Sequence, residues 1–197
     1  MQVHERLSES VAAYRRNQDR IEEGIRRSIL SGLADRVTRQ LITIPVVVHV
    51  LWRRQAEDIS DAQIKSQIDV LNRDFRAKNT DKSKVPAAWK GLVADPNIQF
   101  ALAKKDPNGK ATAGITRTKT TRASFGTGDS VKMAKGGGID PWPTNRYLNM
   151  WVCNLGGGLL GYAQFPGGPA DTRRPVDVID RKLVLRCFVL LRLHALP

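Results

Sequence analysis

The run LITIPVVVHVLW, residues 41–52, constrains the fold more than any other stretch of this 197-residue chain. It is rich in β-branched residues and almost continuously apolar. A half-buried strand alternates apolar and polar side chains; a strand covered on both faces does not. The run therefore reads as a strand with protein on both sides of its sheet. Pro45, near its start, suits a strand beginning or an irregular entry.

The segments around it supply the covering layers. ISDAQIKSQIDVLNRDFRAKN carries the clearest helix signal. Ser60 and Gln63 fit a capping box, Ile59 suits a hydrophobic staple, and Ile64, Ile68, Leu71 and Phe75 share one stripe. Residues 5–40 read as a helix whose sparse stripe (Leu7, Val11, Tyr14, Ile21, Ile25, Ile29) lies on a surface. Residues 80–96 read as loop, and NIQFALAKKDPNGKATAGITRT as a strand, a Pro-Asn-Gly turn and a second short strand. Residues 119–146 are irregular. YLNMWVCNL reads as a second buried strand and LLGYAQFP as a short strand stopped by Pro166. This order predicts an α/β sandwich with a mixed sheet.

Charge and cysteine content narrow the function classes. The net charge of +13 is spread along the chain, without a block of like charges, and only 6% of residues are aromatic. A nucleic-acid partner is not expected from that pattern. MQVHERLSESVAAYRRNQDR lacks the apolar core of a signal peptide. The longest apolar run, LVLRCFVLLRL at 183–193, is too short and too charged to span a bilayer, so no membrane partner is expected. Cys153 and Cys187 form no disulfide framework and lack metal-ligand spacing; a bridge between them is not demanded.

The three histidines lie far apart. His49, inside VVVHVLW, reads as a satisfied core histidine; His4 and His194 have no evident partner. The glycine run in GGGLLG would cradle a phosphate only if a helix began there, and the next residues look like strand. Glycines at φ > 0 in a tight connection between strands are the better reading. A short apolar strand ended by a proline suits a sheet edge, whose unpaired backbone groups can accept an extended peptide.

Four segments in order, TIPVVVHVLW, ISDAQIKSQIDVLNRDFRAKN, DPNGKATAGITRT and YLNMWVCNLGGGLLGYAQFPGGP, resemble the pappalysin-like zinc metallopeptidases, a branch of the metzincins. The resemblance covers about residues 1–170. It implies a helical pro-segment-like region over 1–40 and the N-terminal half of a catalytic domain over 41–170. The implied fold is a zincin-like upper subdomain, α/β (α+β), with a mixed twisted sheet, packed helices and an antiparallel edge strand. By this resemblance Leu160, Gly161, Tyr162, Ala163, Gln164 and Phe165 form the upper-rim strand that binds substrate.

The family's catalytic zinc sits on a His-Glu-x-x-His-x-x-Gly-x-x-His helix, where histidines one turn apart share the metal and the glutamate activates its water. The glutamates here are Glu5, Glu9, Glu22, Glu23 and Glu57, and only His194 lies downstream of the edge strand. The motif is absent, and no catalytic or metal-ligating residue is assigned. Complete relatives are implied to use zinc, with calcium left open, and to act on peptides outside the cell.

Residues 171–197 turn abruptly Arg- and Leu-rich and contain neither Gly nor Glu. The expectation is a reading-frame disruption near 171–175 that removes the zinc helix, with Val176–Ile179 either a chance mimic of the family's next strand or a genuine part of it. The leading expectation is a truncated, inactive member of the family. The alternative is a non-catalytic peptide-binding module that uses the exposed edge strand. Self-association through exposed apolar surface is expected in either case.

Overall fold

The computed structural model describes residues 5, 8–33, 40–163 and 188–190. In chain order these contain helix α1 (Ala12–Leu30), strand β1 (Ile42–Trp52), helix α2 (Asp61–Phe75) and strands β2 (Ile98–Leu102), β3 (Ile115–Lys119), β4 (Leu148–Val152), β5 (Tyr162–Ala163) and β6 (Phe188–Leu190). The sheet order is β2-β1-β4-β6-β5, and β3 also pairs with β1. Among the described residues every pairing of these strands is parallel except β5 with β6. This is the expected mixed sheet with an antiparallel edge strand.

The apolar run at 41–52 lies inside this sheet, as β1. One of its edges takes β4, from Val46↔Leu148 to Val50↔Val152. Its other edge is shared by two strands in succession, β2 against Ile42–Val46 and β3 against Val48–Trp52. The Pro-Asn-Gly turn thus does not fold its flanking strands against each other. It lies in an excursion between two parts of one interrupted strand. The Ala103 N–H reaches the Val46 carbonyl at 2.8 Å, and the Val48 N–H reaches the Gly114 carbonyl at 2.8 Å. Gly114 closes the neck. Its φ is +71°, and a Cβ there would lie 2.6 Å from the Ala103 nitrogen, so no other residue fits without backbone movement.

Each face of β1 is covered. Ile44, Val46, Val48 and Val50 pack with Ile64 and Ile68 of α2, with Leu71 and Phe75 at the margin. That is the predicted helix stripe, and burying each isoleucine contributes roughly 1.5–3 kcal/mol. Ser60 caps α2 as expected: its Oγ accepts from the Gln63 N–H, and its own N–H donates to Gln63 Oε1, both at 3.2 Å. Arg117 on β3 fixes the same end by donating to Asp58, to the Ile59 carbonyl and to Asp61. The helix stops at Phe75, short of the sequence reading, because Ala77 adopts φ 48° and turns the chain outward.

Asn72 of α2 faces the outer edge of β2. Its Nδ2 donates to the Phe100 carbonyl at 3.0 Å, and the Phe100 N–H donates to its Oδ1 at 2.7 Å. A side-chain amide here supplies what a further strand would, so this edge is closed at Phe100.

The opposite face of β1 carries Val47, His49 and Leu51. His49 is fully buried, as read from sequence. Its Nε2 lies 3.0 Å from Asn149 Oδ1 on β4, and its Nδ1 lies 2.7 Å from Thr116 Oγ1 on β3. Asn149 is oriented by Trp142, whose N–H donates to its Oδ1 at 2.7 Å and whose carbonyl accepts from its Nδ2 at 2.9 Å. Since Oδ1 can only accept, Nε2 carries the proton, and Nδ1 accepts from the Thr116 hydroxyl. Trp142 and Trp151 flank the ring, with centroids at 6.2 and 5.2 Å. Burial holds the His49 pKa below its ordinary value, against the opposing effect of the hydrogen bond it donates to Asn149.

The N-terminal region departs from expectation. The helix is interrupted at Val11, which is extended (φ −128°, ψ 95°), and its later end is followed by Gly32 at φ +66°. The expected stripe is covered at Tyr14 alone among the residues of α1, whereas Ile25 and Ile29 are exposed. Leu7 lies outside the described residues.

Two measurements test this scheme. Asn72→Ala leaves the Phe100 backbone without its partner and should lower unfolding free energy by about 1–3 kcal/mol in urea titration; an unchanged midpoint contradicts the edge-closing role. For His49, a lowered folded pKa means that its neutral form stabilises the fold above the unfolded value of about 6.5, and that this stability is lost as pH falls below it. The urea midpoint should therefore decline between pH 7 and 5.5, and His49→Gln should flatten that decline.

Candidate functional site

The candidate site is built from the end of β4 outward. Phe125 and Leu155 form an isolated parallel bridge, with the Phe125 N–H on the Asn154 carbonyl and the Gly156 N–H on the Phe125 carbonyl, both at 2.9 Å. Asn154 Nδ2 adds a bond to the Ala123 carbonyl at 2.7 Å. These contacts tie the bend to the irregular 119–146 region. Gly157 and Gly158 come next, at φ +66° and +72°. A Cβ on either would meet nothing within 4 Å, so the requirement for glycine is conformational, not one of space. No helix begins here, which agrees with setting aside a phosphate loop.

Beyond the bend the side chains divide. Leu159 and Tyr162 pack against a cluster of Leu51, Phe125, Val131, Trp151, Cys153 and Leu155. Leu160 is 59% exposed and Gly161 is exposed. Tyr162 and Ala163 pair with Val189 and Phe188, and β5 ends the strand order. Among the described residues, one edge of β5 is occupied by β6 and the other is the outer edge of the sheet. Of the six residues expected on the substrate strand, Leu160–Ala163 lie on this segment; Gln164 and Phe165 lie outside the described residues.

Two features of this site were not legible in the sequence. Lys132, in the turn Ser130–Lys132, places its ammonium 5.7 Å from the centroid of the Tyr162 ring while pairing with Asp129 at 2.7 Å. Tyr14 of α1, fully buried, packs with Val11 and Tyr162. Neither residue has a local pattern that points to β5, since each approaches from a distant part of the chain.

Phe188–Leu190 takes the place between β4 and β5, parallel to β4. Val176–Ile179 lies outside the described residues, as do His4, Cys187 and His194.

The described side chains do not assemble a zinc site. Among the described residues no group of three His, Cys, Asp or Glu could hold a metal. His49 is committed to Thr116 and Asn149. Cys153 is a buried free thiol, and burial pushes its pKa up to about 12, away from the thiolate a metal needs. No helix among the described residues is long and apolar enough to cross a membrane.

No family model and no curated protein matches the chain. Solved structures do. Mirolysin in complex with a small compound is 55% identical over 64% of this chain and 47% of its own, at a TM-score of 0.62. Mature mirolysin of Tannerella forsythia with a cleaved peptide is 56% identical over the same shares, at 0.61. A Glu-to-Ala mutant of T. forsythia promirolysin is 46% identical over 83% of this chain and 52% of its own, at 0.70. The chain spans about half the length of these structures. In sequence and in fold, the chain is similar to mirolysin over about half of that protein's length.

Proposed function

We propose that this chain forms the N-terminal, substrate-contacting part of a zinc metallopeptidase of the pappalysin-like type, with β5 as the strand that lays a peptide along the cleft. The observation that carries the reading is β5 itself: a short antiparallel strand at the end of a parallel sheet, delivered by a bend that depends on Gly157 and Gly158. Its outer edge offers backbone donors and acceptors in the geometry that an extended peptide can extend. The opposite end of the sheet is closed at Phe100 by Asn72. The cleaved peptide bound to mature mirolysin supports a peptide as the ligand class.

Residues 1–40 are read as the pro-segment-like region. Promirolysin covers 83% of this chain where mature mirolysin covers 64%, a difference about the size of the segment before β1. Zinc belongs to the activity of complete relatives. The described residues do not supply its ligands, so no hydrolytic step is assigned to them. The contribution of this chain is to bind and orient the peptide backbone. Placement outside the cell is part of the same reading.

A non-catalytic peptide-binding module rests on the same strand and differs only in that the bound peptide stays intact. One experiment addresses both. Unstructured peptides titrated into the chain should bind saturably and slow amide exchange at Tyr162 and Ala163, and a flat isotherm contradicts both readings. Joined to the C-terminal half of mirolysin, the chain should show peptide hydrolysis that a chelator abolishes; binding without hydrolysis in that chimera favours the module.

A further inference from the structure

The contact between α1 and β5 has an unusual form. A helix that belongs to a core buries a stripe of side chains, as α2 does with Ile64 and Ile68. Over its nineteen residues α1 buries one, Tyr14, at 0% exposure. Ile25, Ile29 and Leu30, further along, are 55%, 62% and 81% exposed. Among the described residues, the apolar packing around Tyr14 is with Val11 and with Tyr162 of β5. A single aromatic ring thus reaches from the N-terminal helix onto the strand proposed as the peptide-binding edge.

The wall that receives this ring is fixed by its own contacts. Tyr162 packs behind against the cluster of Leu51, Phe125, Val131 and Trp151. Lys132, only 11% exposed and held by Asp129 at 2.7 Å, sets its ammonium beside the Tyr162 ring. A ring held from behind and from the side is preorganised to receive a second ring, because little further ordering is needed on contact. Edge-strand recognition takes affinity from main-chain hydrogen bonds and selectivity from pockets for individual side chains.

We infer that the Tyr162 face of β5 is a side-chain socket for an aromatic residue of a bound peptide, and that Tyr14 of the chain's own helix fills it. The inference rests on the reading of β5 as a peptide-binding edge. It adds a selectivity determinant, Tyr162 backed by Lys132, and an internal occupant that an incoming peptide must displace. The occupant defines the ligand chemistry: an extended peptide with a tyrosine, whose ring takes the place of Tyr14.

The test compares two unstructured, fluorescently labelled octapeptides, identical except for one tyrosine or alanine. Tyr14→Ala should bind the tyrosine peptide at least about tenfold more tightly than the unaltered chain does, a difference of about 1.4 kcal/mol, with no such gain for the alanine twin. Tyr14→Phe, which keeps the ring, should behave like the unaltered chain. Equal gains for both peptides overturn the socket and leave the edge-strand reading standing; no binding of either peptide to any variant overturns the edge-strand reading itself. A second measurement uses the unaltered chain and is independent of how the variants fold. Nitration of Tyr14 by tetranitromethane, followed by peptide mapping, should be slow and should accelerate several-fold with the tyrosine peptide alone. A rate that the tyrosine peptide leaves unchanged overturns the inference.

Discussion

The structure depends on the double-sided burial of β1. Strand pairing fills both of its edges, with β4 on one side and β2 and then β3 on the other. Its alternating side chains feed separate cores, one under α2 and one under the irregular 119–146 region. Removing water from both faces of one strand supplies the apolar burial that holds the surrounding loops in place. Those loops in turn carry the bend that sets β5.

Polar groups inside this arrangement are few and specific. His49 links three adjacent strands through Thr116 and Asn149, and the Trp142 backbone fixes the Asn149 amide. In a medium of low dielectric such a network favours one register, since a one-residue slip would bury an imidazole with no partner. Asn72 performs a related task at the rim by occupying the backbone groups of Phe100. The sheet thus closes one end with a side chain and reserves the other for β5.

Much of this was legible locally. The α2 stripe and its Ser60–Gln63 cap follow from spacing alone, because a helix places residues three and four apart on one face. The φ > 0 reading of the glycine bend holds at Gly157 and Gly158 because only glycine adopts that backbone without strain. His49 was readable as a core residue because no surface strand surrounds a histidine with valines. The N-terminal helix was less legible. Its periodic stripe predicts a face to be covered but not what covers it, and the break at Val11 has no proline or glycine to mark it.

The sequence by itself determined which segments become β1 to β5 and α2, where α2 begins, and that β1 must be covered on both sides. These outcomes depend on residues within a few positions of one another. Only the tertiary structure decided that β2 and β3 share one edge of β1 across an excursion closed at Gly114, that Asn72 seals the rim, and that Tyr14 and Lys132 meet at Tyr162. Those contacts join residues tens of positions apart. Their selection comes from the shape and polarity of the assembled sheet, and no local pattern encodes them.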